Sequence, residues 1–113
     1  MSHKSAIANL THLCTRYMET DVQDGETLSE LLRDISGILF YLETVRADYH
    51  NKWSAFVNDK IAAKMSVARA QVEADVRYPE LYELRRTMDA AYTVVNAIRT
   101  NISYLKSEIH NSK

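Results

Sequence analysis

Carboxylates, histidines and a single thiol are the side chains in this sequence that could support catalysis or metal binding. Glu26, Glu30 and Asp34 recur every four residues, which puts three carboxylates on one helical face, and Glu80 and Glu83 stand one turn apart. Oxygen clusters of this kind suit a hard divalent cation, as an all-helical nucleotide hydrolase would need. The glutamates also have a simpler account. Glu26 precedes the expected start of a helix, Glu30 completes a capping box with Thr27, and Glu80 and Glu83 follow Pro79 in a first helical turn. His3, His12, His50 and His110 have no neighbour at ligand spacing, and His12 and Cys14, two residues apart, point away from each other on a helix. The lone Cys14 excludes an intrachain disulfide and any multi-cysteine metal site. No serine, histidine and aspartate constellation or glycine-rich phosphate loop can be drawn. The expectation is a non-enzyme with no catalytic residue, no metal ligands and no cofactor.

Two other groups of residues suit binding. From residue 46 to 69 the chain carries Arg46, Lys52, Lys60, Lys64 and Arg69 against Asp48 and Asp59, with Tyr49, His50, Trp53 and Phe56 interleaved. Cations that follow a phosphate backbone, with aromatic faces that stack on bases, are what single-stranded nucleic acid requires. The same aromatics also fall in an apolar helical stripe, where they would pack in a core instead. The second group is Tyr78, Tyr82, Arg85, Tyr92 and Tyr104, with Arg77 and Arg86 nearby, a composition typical of protein interfaces. It suits a foreign partner or a second copy equally well.

These residues must be positioned by helices. The chain has 113 residues, 46% hydrophobic and 26% charged, with two glycines and one proline. So few turn formers rule out a β-sandwich or barrel. The length is that of a single domain, residues 1–113. A first helix is expected over residues 5–19, with Ile7, Leu10, Leu13, Cys14, Tyr17 and Met18 as its stripe, ending before Asp24 and Gly25. A second is expected over 27–57, where Leu28, Ile35, Leu42, Tyr49 and Phe56 recur every seven residues along about 45 Å. The polar run Asn58, Asp59 and Lys60 is the expected bend.

A third helix, 66–77, starts from Ser66 as its cap, and a fourth runs over 79–110. In the fourth, Leu81, Leu84, Met88, Ala91, Val95, Ile98, Ile102, Leu105 and Ile109 step by three and four without error. Pro79 forces a kink or break at Tyr78. The predicted fold is all-α: an elongated antiparallel helical hairpin with coiled-coil-like seams and a short N-terminal helix laid across it. Tyrosines beside the seams broaden the apolar face beyond what one hairpin buries, which predicts a homo-oligomer.

Lys plus Arg number 14 against 15 Asp plus Glu, so no global charge marks a nucleic-acid partner. The longest apolar stretch, residues 35–42, is far below the roughly 20 that span a membrane, and residues 1–8 do not read as a signal peptide. A soluble, cytoplasmic protein without a membrane partner is expected.

The basic-aromatic region from Trp53 to Arg69 precedes a long, regularly striped helix. It contains the segment Lys60, Ile61, Ala62, Ala63, Lys64, followed by the break at Tyr78, Pro79, Glu80, Leu81 and Tyr82 and the helix over 94–108. In this layout the chain resembles small all-helical bacteriophage accessory proteins of the recombination-mediator type. The likeness covers about residues 40–110 and is architectural; it matches no specific motif and carries over no residue role. It implies rings of helical hairpins that bind single-stranded DNA and help to load a recombinase, in the host cytoplasm. The residues expected on the nucleic acid come from the charge reading alone: Arg46, Lys52, Lys60, Lys64 and Arg69. The competing expectation is a protein-binding inhibitor or adaptor acting through Tyr78, Tyr82, Arg85, Tyr92 and Tyr104.

Overall fold

The computed structural model describes residues 2–111, and every regular element among them is an α-helix. Helix α1 is His3–Glu19, α2 is Gly25–Ala62, α3 is Val67–Arg77 and α4 is Glu80–Asn111. Ser2 caps α1 by accepting a hydrogen bond from the Ser5 amide. The turn into α2 is organised by Asp21, whose carboxylate accepts from the Gln23 amide at 2.8 Å.

Helix α2 starts differently from the sequence expectation. Asp24 is its cap and accepts from both the amide and the hydroxyl of Thr27, at 3.1 and 2.7 Å. Thr27 thus lies inside the helix and serves as a donor to the cap. These two bonds hold the Asp24 carboxyl below its ordinary pKa, the hydroxyl bond contributing most.

Helix α2 runs unbroken for 38 residues, about 57 Å. The bend expected at Asn58, Asp59 and Lys60 is absent. Three polar residues on a helix surface cost only a few tenths of a kcal/mol each, about what Asn and Asp lose to better helix formers. The actual end is a Schellman arrangement: the Met65 amide bonds the Lys60 carbonyl at 3.0 Å, and the Lys64 amide bonds that of Ile61 at 2.9 Å. Lys64 sits at φ 68°, the left-handed position that glycine usually fills.

Helices α2 and α4 pack side by side in opposite directions. Tyr92 meets Glu43, and Leu105 lies near Gly25. Helix α1 closes a three-helix core over the first half of α2, with Ala6 and Leu10 fully buried against Leu28, Leu31, Ile35, Leu39, Leu42, Leu84, Met88, Ala91, Val95 and Ile98. Asn101 donates to the Tyr17 hydroxyl at 3.2 Å, and the His3 ring meets Tyr49 edge-on, fixing the two ends of α1.

Beyond α1, the end of α2 packs against α3. Val57, Ala70 and Ala74 form a second small core there, flanked by Trp53, Phe56 and Met65. The molecule is therefore a three-helix body with a two-helix arm, 69 × 27 × 18 Å in extent, with a radius of gyration of 19.1 Å. Among the described residues no helix is long and apolar enough to cross a membrane.

The apolar stripes thin out toward the helix ends. Met18 is 79% exposed and Ile109 61%, although both were expected in stripes. Tyr49 and Phe56 are half-buried, and Val67 is exposed despite sharing the phase of Ala70 and Ala74. Only the middle of each stripe has a neighbouring helix on both sides.

Candidate functional site

The break between α3 and α4 builds the most structured concavity. Ser66 caps α3, accepting from the Arg69 amide, and the small Ala70 and Ala74 let α3 lie close on α2. Tyr78 precedes proline and leaves the helical region at φ −127°, ψ 64°. Its amide still bonds the Ala74 carbonyl at 2.9 Å, and α4 restarts at Glu80. One carboxylate oxygen of Glu80, Oε2, is buried there without a hydrogen-bond partner, at the positive end of the α4 dipole.

Trp53 on α2 spans this break. Its indole N–H donates to Asp75 Oδ1 at 2.9 Å, and the His50 ring stacks on it with centroids 6.0 Å apart and planes 14° from parallel. The result is a cleft of about 700 Å³ whose walls include His50, Trp53, Asp75, Tyr78, Tyr82 and Arg85. A second groove, of about 710 Å³, runs between α1 and α4 and is walled by Leu10, Cys14, Met18, Tyr82, Arg86 and Val94, among others. Burial pushes the Cys14 thiol above its ordinary pKa, so it is protonated and behaves as an apolar wall. Tyr82, 72% exposed, lines both concavities.

The five cations expected to follow nucleic acid are not gathered into one open patch. Arg46 donates through Nε and Nη2 to Glu43 Oε2 at 3.3 and 3.0 Å. Lys52 pairs with Asp48 at 3.2 Å and stands over the Tyr49 ring, 5.2 Å from its centre. Arg69 pairs with Glu73 at 3.6 Å, and Lys60 lies over the Phe56 ring at 5.2 Å. Lys64 occupies the left-handed residue of the α2 terminus. Glu43 and Glu73 lie just outside the 46–69 window in which the charges were counted, so helical wrapping neutralises a patch that looked basic in linear order. Exposed pairs of this kind are individually worth only about 0–1 kcal/mol, so they could still be broken by a polyanion.

Of the tyrosine and arginine surface, the fold brings Tyr78, Tyr82 and Arg85 together at the cleft. Tyr78 is half-buried, edge-on to Phe56 at 6.2 Å, with the Arg77 guanidinium 5.5 Å from its ring centre. Tyr92 lies further along α4 and donates to Glu43 Oε1 at 2.8 Å. That bond, followed by those from Arg46, holds the Glu43 carboxyl below its ordinary range, and the same bond raises the Tyr92 phenol. Tyr104 is exposed about 33 Å from Tyr82 along α4 and belongs to neither concavity.

Among the described residues, no three His, Cys, Asp or Glu side chains gather as a metal site would require. Asp75 and Met18 were not singled out as site residues. Asp75 reaches Trp53 across 22 positions of sequence, a pairing that no local spacing announces. No protein-family model matches the chain, and no curated protein or solved structure matches it either.

Proposed function

We propose that the chain is a non-enzymatic protein-binding module that grips an apolar segment of its partner across the first turns of α4. The observation that carries this reading is the position of Tyr82, a largely exposed aromatic forming the shared wall of two concavities of about 700 and 710 Å³. Tyrosine and arginine are enriched among the residues that dominate interface energetics, where truncation typically costs about 2 kcal/mol or more. Arg85 and Arg86, on adjacent flanks of the same helix, supply charged rims to the cleft and the groove respectively. The walls of both are largely preformed by packed helices, which limits the ordering cost of binding.

The test is site-specific photocrosslinking in the cells that make the protein, with the photoreactive group at position 82 and, as a control, at the equally exposed Phe40. A discrete adduct from position 82 that Arg85→Glu abolishes supports the reading. Equal labelling from both positions, or none from position 82, overturns it.

A second reading, contact with single-stranded nucleic acid, is favoured by one specific feature. The stacked His50–Trp53 pair beside Arg85 offers aromatic surface and a cation in the same cleft. It predicts salt-sensitive binding of single-stranded DNA with quenching of Trp53 fluorescence. No binding at low salt removes it.

A further inference from the structure

Helix α3 carries apolar residues on two sides, between the polar positions Arg69, Gln71, Glu73, Asp75 and Arg77. Its inner side buries Ala70 and Ala74, while on the outer side Val72 and Val76 are 63% and 78% exposed. These two valines, with Phe56 of α2, Glu73 and Arg77, line a shallow groove of about 440 Å³ on the arm, away from Tyr82 and both concavities of α4. Two exposed valines one turn apart are apolar surface that the arm's own packing leaves over, and within one chain nothing described covers this side.

We propose that the arm is a dimerisation face, occupied by the arm of a second copy packed antiparallel across a two-fold axis. Charge order selects a second copy as the occupant. Arg69, Glu73 and Arg77 recur every four residues along the edge of the valine face. When two such helices run in opposite directions with Val72 of each against Val76 of the other, Glu73 of each comes beside Arg77 of the other. The two-fold axis makes every such pair twice, so one short stretch supplies both the apolar contact and its own complementary rim. The two arms together form a four-helix bundle, which gives Val72 and Val76 the neighbours they lack in a single chain and covers the open side of the half-buried Phe56. With 11 residues, α3 is only about 16 Å long, so the face falls short of the ~800 Å² per partner of a standard interface. The dimer is accordingly expected to be weak.

The experiment is sedimentation equilibrium of the full chain from about 1 µM to about 1 mM, a range that brackets such an affinity. The expected mass rises with concentration from 13.0 kDa toward twice that value. Val76→Glu, at an exposed position, should leave the helical circular dichroism intact and weaken the dimer at least about tenfold. Glu73→Arg and Arg77→Glu should each weaken it, and the double variant should restore it. A monomeric mass at every concentration overturns the proposal. So does a dimer that Val76→Glu leaves unchanged, or a double charge exchange that fails to restore association. Arg85→Glu, which tests the partner-binding surface, should leave the dimer unaffected, so the two readings fail separately.

Discussion

Replacing Asp75 with serine should loosen α3 while leaving the three-helix body untouched. Serine matches aspartate closely in helix propensity, so the substitution isolates the hydrogen bond from Trp53. The bond is 2.9 Å long but exposed to solvent, which places it near 1 kcal/mol net. On its own side of the contact α3 buries little: the methyls of Ala70 and Ala74 are worth about 0.8 kcal/mol each, set against Val57, Trp53, Phe56 and Met65. A loss of about 1 kcal/mol multiplies the equilibrium for local opening about fivefold. Hydrogen exchange should therefore speed up about fivefold across residues 67–77, with no change at residues 84–98, whose side chains belong to the larger core. Trp53 emission should shift to the red as the indole N–H turns to water. Unchanged exchange in α3, or equal acceleration in both regions, would refute the idea that this one contact secures the arm.

Core and surface should separate sharply. Leu84→Ala, at a fully buried position, should cost about 2–5 kcal/mol in urea unfolding, whereas Phe40→Ser, at a position 79% exposed, should stay within about 0.5 kcal/mol. Gly37→Ala should stabilise the chain by about 1 kcal/mol, because the added methyl meets nothing within 4 Å in the middle of α2; a lowered urea midpoint would contradict it. Lys64→Gly should also stabilise, by about 1 kcal/mol, since glycine adopts the left-handed terminus without strain; thermal unfolding reads this directly. The Tyr92–Glu43 bond should impose two pH limbs. The depressed Glu43 carboxyl contributes stability above its unfolded pKa that is lost as pH falls through the folded value. The raised Tyr92 phenol contributes below about 10, and that contribution is lost as pH rises through its folded value. Tyr92→Phe should flatten both limbs in pH-dependent denaturation; a profile identical to that of the unaltered chain would count against the bond.

The parts of this fold that are legible in the sequence are those set by local chemistry. The three-and-four steps from Leu81 to Ile98 are buried as read, Ser66 caps α3, and Pro79 separates α3 from α4. Local rules fail where two of them compete. Thr27 and Glu30 have capping-box spacing, but Asp24, three residues earlier, takes the cap and makes Thr27 its donor. Asn58, Asp59 and Lys60 look like a bend, yet polar residues on a helix surface cost little, and α2 runs on to the left-handed Lys64. The binding surfaces were legible as residue types and illegible as places. Trp53 and Tyr82 were each singled out in separate groups, and only the turn at Tyr78 brings them to one cleft. Arg46 and Arg69 read as open cations because their acids, Glu43 and Glu73, lie a turn away on helices whose phase had first to be known.

The length of α2 has a hydrodynamic consequence. A compact chain of 113 residues would have a radius of gyration of about 13 Å, and 19.1 Å belongs to a globular protein of roughly 300 residues. Friction grows much more slowly with elongation than the radius of gyration does, so a single copy diffuses only somewhat more slowly than a round protein of its mass. It leaves a sizing column somewhat early, where a calibration against round standards overstates its mass, while scattering reads the full elongation. Apparent size in this protein reports the reach of one helix before it reports the number of chains.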